Sequence, residues 1–199
     1  EVIRVISPGT VTESEYLPKE KNNYILSVYN TEEGCGAAYA DVSTGTFSAC
    51  QFTGRDAKAL LLSETAAYCP TEALVYGASD LKQAIADRFG ARITAVNTSL
   101  YKFETAFEEV FSVTGNDTAK KLPLACTAAG ALINHLRSAQ KLDLKFVKDI
   151  NFYDPTLYLQ LDSFSRKNLE LTESAYSREK RGSLLWVLDD TKTAMGARA

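Results

Sequence analysis

The sequence predicts an α/β fold, a mixed five-stranded sheet with flanking helices that runs on into an all-α part. Three observations predict it. Short strand-like runs joined by glycine-bearing turns fill residues 24–52. After Phe52 the apolar period changes from two to about 3.6 residues. At Gly115-Asn116-Asp117 the pattern breaks, and longer helical text follows. The 199 residues suit one full domain plus part of another, or one large domain. With 45% apolar and 24% charged residues the chain can bury a real core.

Tyr24 to Tyr29 alternates apolar and β-branched residues, and Asn30 to Gly34 supplies a turn. Gly36 to Val42 is a second run, and Ser43-Thr44-Gly45 leads tightly into a third, Thr46 to Phe52. Three runs joined this way read as an antiparallel meander. Arg55 to Tyr68 then places Ala57, Leu60, Leu61 and Tyr68 on one helical face, and Cys69-Pro70 ends the helix. Ala73-Leu74-Val75-Tyr76 is a short buried strand closed by Gly77. Ser79 caps a helix with Leu81, Ala84, Ile85 and Phe89 at core spacing, stopped by Gly90. Ala91 to Val96 is a fifth strand. In the next helix Phe103, Ala106, Phe107, Val110 and Phe111 share one face, and Phe103, Phe107, Val110 and Phe111 are expected to pack on the sheet. Beyond the break, a helix from Thr118 to Leu142 turns Leu122, Ala125, Cys126, Ala129, Leu132, Ile133 and Leu136 inward, with Pro123 near its start. An extended stretch, Leu144 to Leu161, and further helical text complete the chain. Meander, helix, strand, helix, strand, helix is the element order of the ribonuclease H-like fold, although other α/β layouts share it.

Composition narrows function. A net charge of -3 argues against a segment that grips DNA by itself, because phosphate neutralisation demands a basic excess. Cys35, Cys50, Cys69 and Cys126 fit neither a zinc knuckle nor a disulfide framework, and read as isolated buried thiols in a reducing cytosol. No apolar run can span a bilayer, and the N-terminus does not resemble a signal peptide. The phosphate-cradling loop G-x-x-x-x-G-K-[ST] is absent, as are G-x-G-x-x-G, H-E-x-x-H and G-x-S-x-G. The single histidine, His135, lies mid-helix without a sequence partner, which favours packing over chemistry.

Asp41, at a strand end, is the one carboxylate placed as a two-metal nuclease would need. Such a site needs three or four converging acids, and Glu64, Glu72, Asp80 and Asp87 are scattered over helices and turns. Asp41 therefore reads as a turn residue accepting backbone hydrogen bonds ahead of Ser43-Thr44-Gly45. Arg178-Glu179-Lys180-Arg181 reads as a solvated loop, and Asn168, on a face with Phe164, Leu171 and Ala175, as a satisfied buried amide. The apolar run Leu184 to Leu188 is expected to be hidden, either against the 118–142 helix or by self-association through 183–195.

Several stretches resemble the MutS family of DNA mismatch-repair proteins. Val5-Ile6-Ser7-Pro8-Gly9-Thr10 is similar to the family's V-x-T-P-G-T link, with Ser7 for threonine. Asn23-Tyr24-Ile25 and Gly36 to Phe47 resemble N-Y-L and G-x-A-x-x-D-x-S-T-G-x-F, with Thr46 where glutamate is common. Ala129-Gly130-Ala131-Leu132, with Leu136 and Gln140, looks like the helix that opens the family's core. Leu161 to Leu171 resembles L-D-x-x-T-x-x-N-L-E-L, with Ser165 for threonine, and Gly182 to Arg198 resembles G-S-L-L-x-x-L-D-x-T-x-T-x-M-G-x-R.

The resemblance implies an interior piece of such a protein: a ribonuclease H-like connector domain at 1–115, then the truncated start of the helical core, or lever, at 116–199. It implies a cytoplasmic, homodimeric, DNA-dependent ATPase that binds mismatched double-stranded DNA and recruits MutL. The connector would join mismatch reading to the core and offer a docking surface for MutL. The F-x-E mismatch reader would precede Glu1, and ATP and magnesium would be held beyond Ala199. No residue here is assigned a catalytic, cofactor-binding or metal-ligating role. The competing readings are a stand-alone ribonuclease H-like nuclease, which needs acids converging near Asp41, and a small-molecule-binding α/β domain, which needs a glycine-rich strand-to-helix turn.

Overall fold

The computed structural model describes residues 7–11, 22–77, 79–115, 117–138, 144, 147, 149–158, 161, 163–193 and 196–197. The meander forms as its turns dictate: β1 (Tyr24–Asn30), β2 (Gly34–Asp41) and β3 (Thr46–Thr53) pair antiparallel in turn. Helix α1 (Ala57–Tyr68) leads to β4 (Glu72–Tyr76), which lies parallel to β1. Helix α2 (Ser79–Phe89) leads to β5 (Arg92–Thr94), parallel to β4. Helix α3 (Phe103–Thr114) and helix α4 (Pro123–Ser138) follow, the latter preceded by a 3-10 turn at Thr118–Lys121. A short strand, β6 (Asn151–Phe152), then pairs parallel to β3 at Ser48 and Ala49.

The sheet thus has six strands in the order β5-β4-β1-β2-β3-β6, where five were expected. The sixth comes from the stretch read as extended, and two residues are too few to show an alternating period. The fifth strand is shorter than expected, Arg92–Thr94 instead of Ala91 to Val96.

Every residue of β2 is buried, because helices cover both faces of the central strands. On one face α1 and α2 enclose Leu26, Val28, Ala37, Tyr39, Leu61, Leu81 and Ile85. On the other, α4 lies across Ile25, Ala38, Ala40 and Ala49 with Ala125, Cys126, Ala129 and Leu132. Gly36 makes that approach possible, since a Cβ there would stand 2.0 Å from the Leu124 carbonyl oxygen. The break at Gly115 therefore turns the chain from α3 into α4 without interrupting the core.

Helix α3 packs mainly on α4, and its Val110 joins the core that α4 shares with the sheet. A Cβ on Gly130 would meet the Ala106 Cα at 2.3 Å, so the two helix backbones run in close contact. Ala106 and Val110 are buried there, but Phe103 is 36% and Phe111 46% exposed, against expectation. Phe107 is partly buried between them, with Lys120 Nζ 4.9 Å from its ring centroid. The alanines and Gly130 of α4 leave room for small residues at this contact, so the larger rings are displaced to its edge.

Past β6 lie a 3-10 turn (Pro155–Leu157), helix α5 (Ser163–Asn168) and helix α6 (Leu184–Leu188). Helix α5 ends at Asn168, so Leu171 and Ala175 do not share its face, and Asn168 is exposed instead of buried. The amides of Leu184 and Leu185 donate to the carbonyls of Glu170 and Leu171, which ties α6 to the segment that follows α5. Its apolar side chains are uncovered, with Trp186 51% exposed. Residues 139–142 of the expected helix, together with Val5, Ile6, Gln140, Asp162, Met195 and Arg198 of the motifs, lie outside the described residues.

Candidate functional site: a polar joint at the foot of the sheet

The foot of the sheet is where β1 and β4 begin and β2 ends, with Tyr24 opposite Asp41 and Ile25 opposite Glu72. There Ser7-Pro8-Gly9-Thr10 forms a 3-10 turn, closed by the Thr10 amide donating to the Ser7 carbonyl at 3.0 Å. Pro8 presets the first helical φ, and the Ser7 amide donates to Thr10 Oγ1 at 2.9 Å. The turn lies flat on the sheet: a Cβ on Gly9 would be 2.9 Å from Ile25 Cβ and 3.0 Å from Glu72 Cβ.

Glu72 fastens it. Its carboxylate is fully buried, and Oε2 accepts the Gly9 amide at 3.0 Å and the Ser7 hydroxyl. The other oxygen, Oε1, accepts the Thr94 hydroxyl at 2.6 Å. A carboxylate away from water is tolerable only when donors replace its hydration, and the incoming turn supplies two of the three here. Asn23 adds a second tie, donating through Nδ2 to the Pro8 carbonyl at 2.8 Å while its Oδ1 accepts the Thr71 hydroxyl at 2.7 Å.

Asp41, the carboxylate considered for metal binding, is built into the same joint. Its Oδ2 accepts the Asn23 amide at 3.1 Å, and its Oδ1 accepts the Ser43 amide and hydroxyl at 2.8 and 2.7 Å. Those bonds stabilise the turn that the sequence places there. Among the described residues no three histidine, cysteine, aspartate or glutamate side chains gather as metal ligands do. Glu64 accepts from Tyr153, Asp80 pairs with Lys58 on the surface, and Asp87 accepts from Gln83. Glu72 is the residue whose role sequence reasoning missed. Its signal was a glutamate heading the apolar run Ala73-Leu74-Val75, a place where an unsatisfied charge would be costly.

His135 is the other buried polar side chain of note. It lies in the last turn of α4, is 6% exposed, and its Nε2 has no hydrogen-bond partner among the described residues. Burial holds its pKa below the ordinary histidine value of 6.5, and the charge of Glu72 works in the opposite direction.

A second clasp fixes the chain where it leaves the sheet. The Tyr153 hydroxyl donates to Glu64 Oε1 at 2.7 Å and lies 3.0 Å from the Tyr68 hydroxyl, joining β6 to α1. The Tyr39 ring stacks on Tyr68 with centroids 3.9 Å apart, beside a cavity of about 300 Å³ also lined by Tyr158 and Arg166. Burial pushes the Cys50 and Cys126 thiols up to about 12, and Cys35 is buried too, but Cys69 is exposed, unlike the four buried thiols expected. Arg178 and Arg181 are exposed in a loop as expected, and Lys180 is paired with Asp189. Among the described residues no helix is long and apolar enough to cross a membrane.

Comparison with known proteins gives a consistent picture. The family model described as MutS domain II matches residues 23–148. The DNA mismatch repair protein MutS of Ruminiclostridium cellulolyticum is 36% identical over 204 aligned positions, covering 100% of this chain and 23% of that protein. Its counterpart from Pelotomaculum thermopropionicum is 41% identical, again over 100% of this chain and 24% of its own length. One from Staphylococcus aureus strain RF122 is 35% identical over 100% of this chain and 21% of its own. The chain spans about a quarter of the length of the curated relatives it matches.

Proposed function

Since the chain belongs to the MutS family of DNA mismatch-repair proteins, we propose that it is the coupling segment of such a protein, joining the mismatch-reading part to the helical core. One observation carries the reading: the Ser7–Thr10 turn, where the family's link sequence lies, is fastened to the sheet by the buried Glu72 carboxylate. A joint with several directional bonds transmits a displacement that a flexible linker would absorb. The Tyr68–Tyr153–Glu64 clasp does the same for the chain past β6.

In the whole protein, mismatched double-stranded DNA, ATP and magnesium are handled by parts outside this chain, and the segment itself is not catalytic. It works in the cytoplasm as part of a homodimeric ATPase, and the sheet-bearing domain docks MutL. A three-strand meander followed by α1, β4, α2, β5 and α3 supports a ribonuclease H-like fold. The connector domain is taken as residues 1–115 and the start of the helical core as 116–199, with α4 of the second part packed on the sheet's hydrophobic core. The nuclease alternative is not favoured, since three donors already occupy the Asp41 oxygens.

The test is made in the full-length protein. Replacing Ser7 and Glu72 by alanine should leave mismatch binding within about twofold and reduce the mismatch-dependent change in ATP turnover at least about fivefold, about 1 kcal/mol of coupling. An unchanged ATPase response would remove the joint from the coupling route. A titration with MutL tests the docking proposal separately, and lack of binding at high micromolar concentration would count against it.

A further inference from the structure

The second clasp encloses a cavity whose chemistry the linking role leaves unused. It measures about 300 Å³ and lies where α5 packs against α1. Glu64 and Tyr68 of α1 line it, with Tyr153, Tyr158 and Leu161 of the chain past β6 and Arg166 of α5. That volume is at the small end for ligand pockets, so one compact molecule fills it. The two charged groups do not answer each other. Oε1 of Glu64 accepts the Tyr153 hydroxyl at 2.7 Å, and no donor among the described residues reaches Oε2. The guanidinium of Arg166, half-buried at the cavity, has no acceptor among the described residues. A planar fork of N–H donors drawn partly out of water is matched best by a carboxylate.

The walls between the two charges are aromatic. The Tyr153 and Tyr158 rings meet edge to face with centroids 6.4 Å apart, and the Tyr68 hydroxyl lies 3.0 Å from that of Tyr153. Such walls favour a flat ring. With one cation and one anion the cavity has no net formal charge, so it suits a zwitterion better than a dianion such as a phosphate ester. We propose that the cavity binds a compact zwitterion with a flat ring, in chemical class an aromatic α-amino acid. Its carboxylate takes Arg166, its ammonium takes the free oxygen of Glu64, and its ring lies among Tyr68, Tyr153 and Tyr158. The occupant bridges α1 and α5 and so fastens the chain past β6 more firmly than the Tyr153–Glu64 bond does alone. The consequence for coupling rests on the linking role proposed above, but the binding does not.

Titration of the 199-residue chain with L-phenylalanine, followed by saturation-transfer nuclear magnetic resonance, tests it. Binding should saturate with a dissociation constant of about 1 mM or below, the range open to a ligand of about a dozen heavy atoms. Phenethylamine lacks the carboxylate and 3-phenylpropionate lacks the ammonium, so each should bind at least about tenfold more weakly. Arg166→Ala should weaken L-phenylalanine at least about tenfold and leave phenethylamine within about twofold. Glu64→Gln should weaken L-phenylalanine and leave 3-phenylpropionate within about twofold, which separates loss of a charge contact from loss of the fold. No saturation at about 10 mM, equal affinity for all three ligands, or unchanged L-phenylalanine binding in Arg166→Ala would each overturn the proposal. None of these readouts depends on mismatch repair, so an empty cavity and a failed coupling role are told apart.

Discussion

The carboxylate of Glu72, at the start of β4, accepts the backbone amide of Gly9 at 3.0 Å across 63 positions of sequence. Because the same carboxylate also takes the hydroxyls of Ser7 and Thr94, removing it orphans three donors at once. Glu72→Ala should lower the unfolding free energy by about 2–4 kcal/mol, since each buried donor left unpaired costs about 1–3 kcal/mol and water recovers part of it. Urea denaturation followed by far-ultraviolet circular dichroism measures the loss. A change under about 0.5 kcal/mol would mean that the joint contributes little to folding.

The sheet and its flanking helices were largely legible because period and turns speak locally: Tyr24 to Phe52 alternates, and Leu81, Ile85 and Val110 repeat at helical spacing. What was not legible depends on contacts distant in sequence. Glu72 looked like a turn acid until the 7–10 turn arrived from 63 positions away to complete its bonds. Strand β6 is two residues long and exists because Ser48 and Ala49 offer an edge. Phe103 and Phe111 looked like core from their spacing, but the close approach of Ala106 to Gly130 excludes large rings from the contact. Asp41 was legible, because a turn acid bonds residues one or two positions away.

Gly36→Ala and Gly130→Ala test the close approach of α4. The added methyl would stand 2.0 Å from the Leu124 carbonyl oxygen in the first and 2.3 Å from the Ala106 Cα in the second. Both neighbours are backbone, so a helix must shift instead of a side chain turning. Each variant should lose about 2–3 kcal/mol despite the better helix propensity of alanine at Gly130. A stabilised Gly130→Ala would show that the two helices are looser than this packing.

The thiols should divide by burial. With a disulfide reagent at neutral pH, Cys69 should react at once, and Cys35, Cys50 and Cys126 only on the timescale of unfolding. Burial raises Cys50 and Cys126 from 9.0 to about 12, so the folded state disfavours their thiolates. Their contribution to stability is complete below pH 9 and is lost as the pH rises towards 12. Rapid labelling of more than one thiol in the native protein would contradict this arrangement.

Helix α6 leaves Leu184, Leu185, Trp186, Val187 and Leu188 uncovered, and a contiguous apolar patch of this kind drives association. Chains at high concentration should therefore pair through residues 183–195. Trp186 is the only tryptophan, so its emission reports the event directly. Emission should be blue-shifted when concentrated and move red on dilution. An emission maximum typical of exposed indole at every concentration would show that α6 does not mediate association.

The bond between the incoming turn and the sheet is tested most directly by a double-mutant cycle on Ser7 and Glu72. Unfolding free energies of the wild type, Ser7→Ala, Glu72→Gln and the double variant isolate the energy shared by the two side chains. With Ser7 donating to a fully buried carboxylate, the coupling should be about 1–2 kcal/mol. Changes that add to within about 0.3 kcal/mol would contradict it, because the turn would then rest on the sheet without being held by Glu72.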